Sequence, residues 1–153
     1  MMIPDKACFD FIKSREGLRL AAYQDSAGIW TIGYGTILYK DNLPVRKGDT
    51  ITLNQAEQLI EDEITSKSKK VNAAIIPAVL NQHQFNALVS FAYNAGIGAL
   101  LSSTLLKRVK ANAADPLIRD SFLVWNKAHV NGKLVAVKGL SLRRAAEADM
   151  YFS

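Results

Sequence analysis

The chain is short of several things, and each shortage excludes something. There is one cysteine, Cys8, in 153 residues. No intramolecular disulfide can form, which suits folding in a reducing compartment. Cys8 itself reads as a small buried hydrophobe on a helix. Only two histidines occur, His83 and His129. Neither has a carboxylate or thiol at metal-ligand spacing, so no metal and no other cofactor is expected. No apolar run approaches the ~20 residues that span a bilayer. Met1-Met2-Ile3-Pro4-Asp5-Lys6 lacks a basic stretch leading into an apolar one. A secretory signal is therefore not expected, and the protein should accumulate in the cytoplasm where it is made. Internal repeats and low-complexity segments are absent.

What is present describes one globular domain. Hydrophobic residues make up 49% and charged residues 22%, enough apolar side chains for a real core at this length. The net charge of +5 and a pI of about 9.4 favour polyanionic partners as a class. The densest basic stretch, Lys67-Ser68-Lys69-Lys70, has no aromatic residues interleaved. It reads as solvated helix face, and no nucleic-acid partner is expected.

Residues 5–15 have helical spacing at Cys8, Phe11, Ile12 and Arg15, started by Pro4 and Asp5 and stopped by Gly17. Over 18–39 the period changes to two or three short antiparallel strands with tight turns. A turn-rich loop follows through Pro44 and Gly48-Asp49. Thr52-Leu53-Asn54-Gln55 matches a capping box and opens a long helix. Its stripe of Leu53, Ala56, Leu59, Ile60, Ile64, Val71 and Ile75 predicts a core face that ends at Pro77. Further helices are predicted over 81–93, 103–110, from Asp115-Pro116 through Trp125, and over 141–151, with a turn at Asn131-Gly132-Lys133. The fold class is therefore α+β. A small N-terminal antiparallel sheet, about 16–50, is joined by the long helix to a helical lobe of about 76–153 plus the N-terminal helix.

Chemistry concentrates near the N-terminus. Eight residues separate Glu16 from Asp25, and five separate Asp25 from Thr31. Two carboxyl groups in unlike settings are what glycosidic cleavage needs, one to donate a proton and one to activate water. Glu16 falls at a helix end beside strand sequence, where partial burial would help an acid keep its proton, though an ordinary exposed surface glutamate would also fit. Asp25 falls at a strand-to-turn position, where a solvated base or a turn aspartate bonded to its own backbone would both fit. Thr31 alternates with strand neighbours, and its hydroxyl could hold a water against Asp25 or do nothing beyond strand packing. Gly33 and Gly35 flank Tyr34 at a spacing that rules out a dinucleotide fingerprint.

Taken in order, Glu16-Gly17, Tyr23, Asp25, Gly28 and Thr31-Ile32-Gly33-Tyr34-Gly35 closely resemble the catalytic segment of the phage-type lysozymes, glycoside hydrolase family 24. Leu80 to Gly96 resembles that family's central helix, and Ser103-Thr104-Leu105-Leu106 the next one. Trp125-Asn126 and Gly139 to Glu147 resemble its C-terminal block. The resemblance implies a muramidase that hydrolyses the β-1,4 bond between N-acetylmuramic acid and N-acetylglucosamine in peptidoglycan, with inversion, to lyse a host. It implies Glu16 as proton donor, Asp25 and Thr31 as holders of the attacking water, and Gly35, Ile37, Tyr93 and Asn94 as substrate contacts. Arg143, in preference to Arg144, would support Glu16, with Trp125 nearby. A cation there opposes an acid's need to stay protonated, so burial must compensate or the arginine mainly orients Glu16. A monomer is expected, and the lack of a signal suggests that it waits in the cytoplasm for a separate membrane-permeabilising protein. One departure stands out: many members carry histidine directly after the Gly-x-Gly, and this chain has Thr36. An effect on stability or pH profile is expected, not loss of activity.

Three alternatives stay in view. A non-enzymatic wall-binding domain would not need both Glu16 and Asp25. A cationic membrane-disrupting protein would keep its activity after Glu16→Gln. A lytic transglycosylase would need one acid and no water-holding pair.

Overall fold

A computed structural model describes residues 1–153 throughout. It has the expected α+β class, with seven helices and two separate antiparallel strand pairs. The chain divides into two compact units. The smaller comprises Phe9–Ser66, and the larger comprises Met1–Cys8 with Lys67–Ser153. Two helices, α1 (Lys6–Arg15) and α2 (Leu53–Ile75), each begin in one unit and end in the other. α1 starts where Asp5 Oδ1 accepts the Cys8 N–H at 3.1 Å, the side-chain cap its sequence predicts.

In the smaller unit, β1 (Arg19–Gln24) pairs with β2 (Trp30–Gly33). Tyr23 lies opposite Thr31 and Gln24 opposite Trp30, with a bulge towards Arg19. A third full strand does not form. Gly33 and Gly35 have φ of 65° and 96° and turn the chain back at once. What remains is isolated bridges, Ile32 with Thr36 and Leu38 with Pro44. α2 begins on the predicted capping box: Gln55 N–H donates to Thr52 Oγ1 at 3.1 Å, and Thr52 N–H to Gln55 Oε1 at 2.8 Å. Ala56, Ile60, Ile64, Val71 and Ile75 are buried as the stripe predicts. Leu59 is only half-buried, and Leu53, at the first turn, is 45% exposed, so both fall outside that core.

The larger unit is built around α3 (Gln82–Ala95), whose residues Phe85 through Ala92 are all buried. A helix buried on every side must be covered by neighbours all round. α3 packs on α4 (Ile97–Ser102) and on α7 (Lys138–Tyr151), and α6 (Ile118–Leu123) packs between α7 and α5 (Thr104–Ala111). Edge-on aromatic contacts link Phe91 to Phe122 at 6.0 Å and Phe122 to Tyr151 at 5.8 Å.

Several elements differ from the sequence expectation. α4 was not expected, because Gly96 and Gly98 read as a stop. Gly96, at φ 100°, both ends α3 and precedes α4. α6 starts after Asp115-Pro116 and ends before Trp125, because Asp115 Oδ1 first accepts the Leu117 N–H to make a turn. The predicted turn at Asn131-Gly132 joins two strands that were not predicted, β3 (Lys127–Val130) and β4 (Lys133–Ala136). α7 begins three residues earlier than predicted, after the extended residue Val137.

Candidate active site

The three residues with the strongest chemical case all lie in the smaller unit. Glu16 follows the last turn of α1, its N–H donating to the Lys13 carbonyl at 3.2 Å, and its side chain is half-buried. Gly35 brings bare backbone to it: a Cβ built on Gly35 would stand 3.7 Å from Glu16 Oε2. The positive φ of 96° explains why a glycine serves there.

Asp25 closes the β1–β2 turn. Its Oδ1 accepts the N–H groups of Ala27 and Ile29, both at 2.9 Å, and its own N–H donates to the Ile29 carbonyl at 2.9 Å. The turn-aspartate role is therefore real, and it uses one carboxylate oxygen and leaves the other, Oδ2. Thr31 is buried in β2, and its hydroxyl donates to the same Ile29 carbonyl at 2.9 Å. The backbone of Ile29 thus fixes both side chains. With its hydrogen engaged, Thr31 Oγ1 can offer only lone pairs to a further partner.

Thr36, where a histidine was expected from the resemblance, is buried and locked by its backbone. Its N–H donates to the Ile32 carbonyl at 2.8 Å, and its carbonyl accepts the Ile32 N–H at 2.9 Å. Ile37 follows, 45% exposed. Nearby in sequence, Tyr39 OH donates to Asp49 Oδ2 at 2.7 Å. Burial and that bond push the Tyr39 hydroxyl up to about 12. The Tyr39 bond first, then the Arg46 N–H, hold the Asp49 carboxyl below its ordinary value.

The other expected site residues belong to the larger unit. Tyr93 and Asn94 sit near the end of α3, and Asn94 Oδ1 accepts from Arg144. Trp125 lies just past α6, edge-on to Phe91 at 5.6 Å. Arg143 is buried, with Nε 3.4 Å from Glu147 Oε2 and Nη2 3.4 Å from Ser90 Oγ. Arg144 is fully buried, its guanidinium 5.0 Å over the Phe91 ring. Its Nη1 faces Glu147 Oε1 at 2.9 Å, close enough for an ion pair but without hydrogen-bond alignment. Burial pushes the Glu147 carboxyl up, against the pull of Arg144, Ser90 and Arg143. This cluster of Ser90, Arg144 and Glu147 was not singled out from sequence. The i, i+3 and i, i+4 spacing of Glu147 from the two arginines was the available signal. Cys8 is buried as expected, and burial pushes its thiol up to about 12.

The chain is similar to known proteins in sequence and in structure. Residues 13–147 match the phage lysozyme family model. The endolysin of Acyrthosiphon pisum secondary endosymbiont phage 1 is 41% identical over 93% of this chain and 92% of its own length. The endolysin from Escherichia coli O157:H7 phage FAHEc1 is 45% identical with a TM-score of 0.91, over 98% of this chain and 93% of that one. The muramidase domain of SpmX from Asticaccaulis excentricus is 32% identical with a TM-score of 0.86, over 100% and 99%. With sequence and structure matched along nearly its whole length, this chain belongs to the phage lysozyme family and is a glycoside hydrolase that acts on peptidoglycan.

Proposed function

We propose that this lysozyme cleaves the β-1,4 bond between N-acetylmuramic acid and N-acetylglucosamine in a single displacement. Glu16 is the proton donor, and Asp25 and Thr31 hold the attacking water. The observation that carries this reading is the shared anchoring of Asp25 and Thr31 on Ile29. Asp25 Oδ2 and the lone pairs of Thr31 Oγ1 are both acceptors. A water between them donates one hydrogen to each and is left with its own lone pairs for the anomeric carbon. As the new C–O bond forms, Asp25 takes the water's proton. Glu16 delivers its proton to the leaving oxygen as the old C–O bond breaks.

Gly35 and Ile37 are assigned as substrate contacts beside Glu16, and Tyr93 and Asn94 as further contacts. Trp125 and Arg143 act as supporting residues. The whole chain works as one catalytic domain and as a monomer. No helix is long and apolar enough to cross a membrane. Delivery from the host cytoplasm to the wall falls to a separate membrane-permeabilising protein.

Glu16→Gln tests the reading directly. The variant should keep its fold and lose lysis by about 10²–10⁴-fold, the usual worth of general acid help. Turbidity clearance of cell-wall suspensions measures it. Near-normal clearance by the folded variant would overturn the enzyme mechanism in favour of membrane disruption by the cationic surface.

A further inference from the structure

The smaller unit holds a groove of about 640 Å³ that none of Glu16, Asp25 or Thr31 lines. One wall is a face of α2. Gln55, Gln58, Leu59 and Asp62 lie three, four and seven residues apart, so they project on the same side. The loop residues Tyr39, Lys40 and Asp41, with Ile51, complete it. Its polar groups are already oriented. The Tyr39 ring is held by its hydroxyl bond to Asp49. Gln58 Nε2 donates to Asp62 Oδ1 at 2.9 Å, leaving the Gln58 carbonyl and Asp62 Oδ2 as acceptors. Gln55 Oε1 is taken by the helix cap, leaving its amide hydrogens as donors.

A ring with fixed amide and carboxylate groups beside it suits a ligand that has an apolar face and many neutral hydroxyl and amide groups. Charge narrows the choice further. The unit carries six basic and nine acidic side chains, a net −3. The groove itself carries one cation, Lys40, against two carboxylates, Asp41 and Asp62, a balance that favours a neutral sugar chain over an anionic polymer.

We infer that this groove is a second, non-catalytic site for the glycan strand, taking N-acetylated sugars. The inference rests on the glycan-cleaving reading above. A second hold on the same polymer keeps the enzyme local between cuts and raises the effective substrate concentration.

The test is an NMR titration of the full chain with the trimer of N-acetylglucosamine. Amide shifts are expected at 39–41 and 55–62 in addition to those around Glu16 and Asp25. Gln58→Ala with Asp62→Ala should erase only the first set. Both sites are on a helix that alanine favours, so the fold should survive. Wall clearance by this variant should slow by at least about threefold, with hydrolysis of a soluble oligosaccharide unchanged. Shifts confined to the Glu16 and Asp25 region would overturn the inference, as would unaltered wall clearance by the folded double variant. The two readings fail separately. An active Glu16→Gln enzyme sinks the hydrolytic mechanism whatever the groove binds. An inactive one without groove shifts sinks only the groove.

Discussion

At the scale of single residues, the proposed mechanism gives Asp25 two jobs, one for each oxygen. Oδ1 organises the hairpin turn, and Oδ2 is left for chemistry. Substitution separates the two. Asp25→Asn keeps a carbonyl oxygen for the turn but removes the base, so stability should change by less than about 1 kcal/mol and turnover should fall by about 10²-fold or more. Thr31→Val removes one anchor of the water at nearly constant volume and should slow turnover by roughly tenfold, about 1.4 kcal/mol in the barrier. If both groups hold one water, the losses do not add: the double variant should be little slower than Asp25→Asn alone. Fully multiplied losses would mean that the two residues act apart. The placement of Glu16 at a helix end and of Asp25 and Thr31 on a hairpin was legible in the sequence, because Gly17 and the Asp25-Ser26-Ala27-Gly28 turn mark both. The Ile29 anchor was not, because a backbone group offers no residue-type signal. Nor was the burial of Arg144 and Glu147, since charged side chains are ordinarily read as surface.

At the scale of elements, the capping box of α2 was read from four letters and formed as read. The loop that precedes α2 and the helix itself both line the second groove. Thr52→Ala removes the cap and should destabilise the protein by about 1 kcal/mol, or roughly 2–4 °C in the melting temperature at this size. Thermal unfolding measures it, and an unchanged midpoint would show that packing of the helix stripe outweighs its cap. Elements were legible where periodicity and caps agreed, as in α1, α2, α3 and α5. They were missed where a residue carried two meanings. Gly96 reads as a stop, yet the chain resumes a helix at the next residue. Asn131-Gly132 reads as a turn, but β3 and β4 beside it are short and largely exposed, so no apolar alternation announced them. Leu53 fell on the apolar stripe by spacing alone. At a helix's first turn, spacing does not guarantee cover.

At the scale of the whole molecule, the net charge of +5 hides a division. The larger unit carries thirteen basic and five acidic side chains, a net +8, against −3 for the unit with Glu16 and Asp25. Attraction to an anionic wall therefore belongs to the larger unit. Initial lysis rates on intact walls should fall as ionic strength rises past ~0.1 M, where charges are screened beyond about 10 Å. Hydrolysis of a short neutral oligosaccharide should change far less, and an equal fall on both would move the effect into the catalytic groups. The central claim is that a water held by Asp25 and Thr31 attacks in one step while Glu16 protonates the leaving group. Proton NMR of the nascent product, recorded before mutarotation, tests this most directly. An α-anomeric reducing muramic end appearing first is the predicted result, since a single displacement inverts the β-linkage. A β-anomer appearing first, or an anhydro-muramic end, would contradict it.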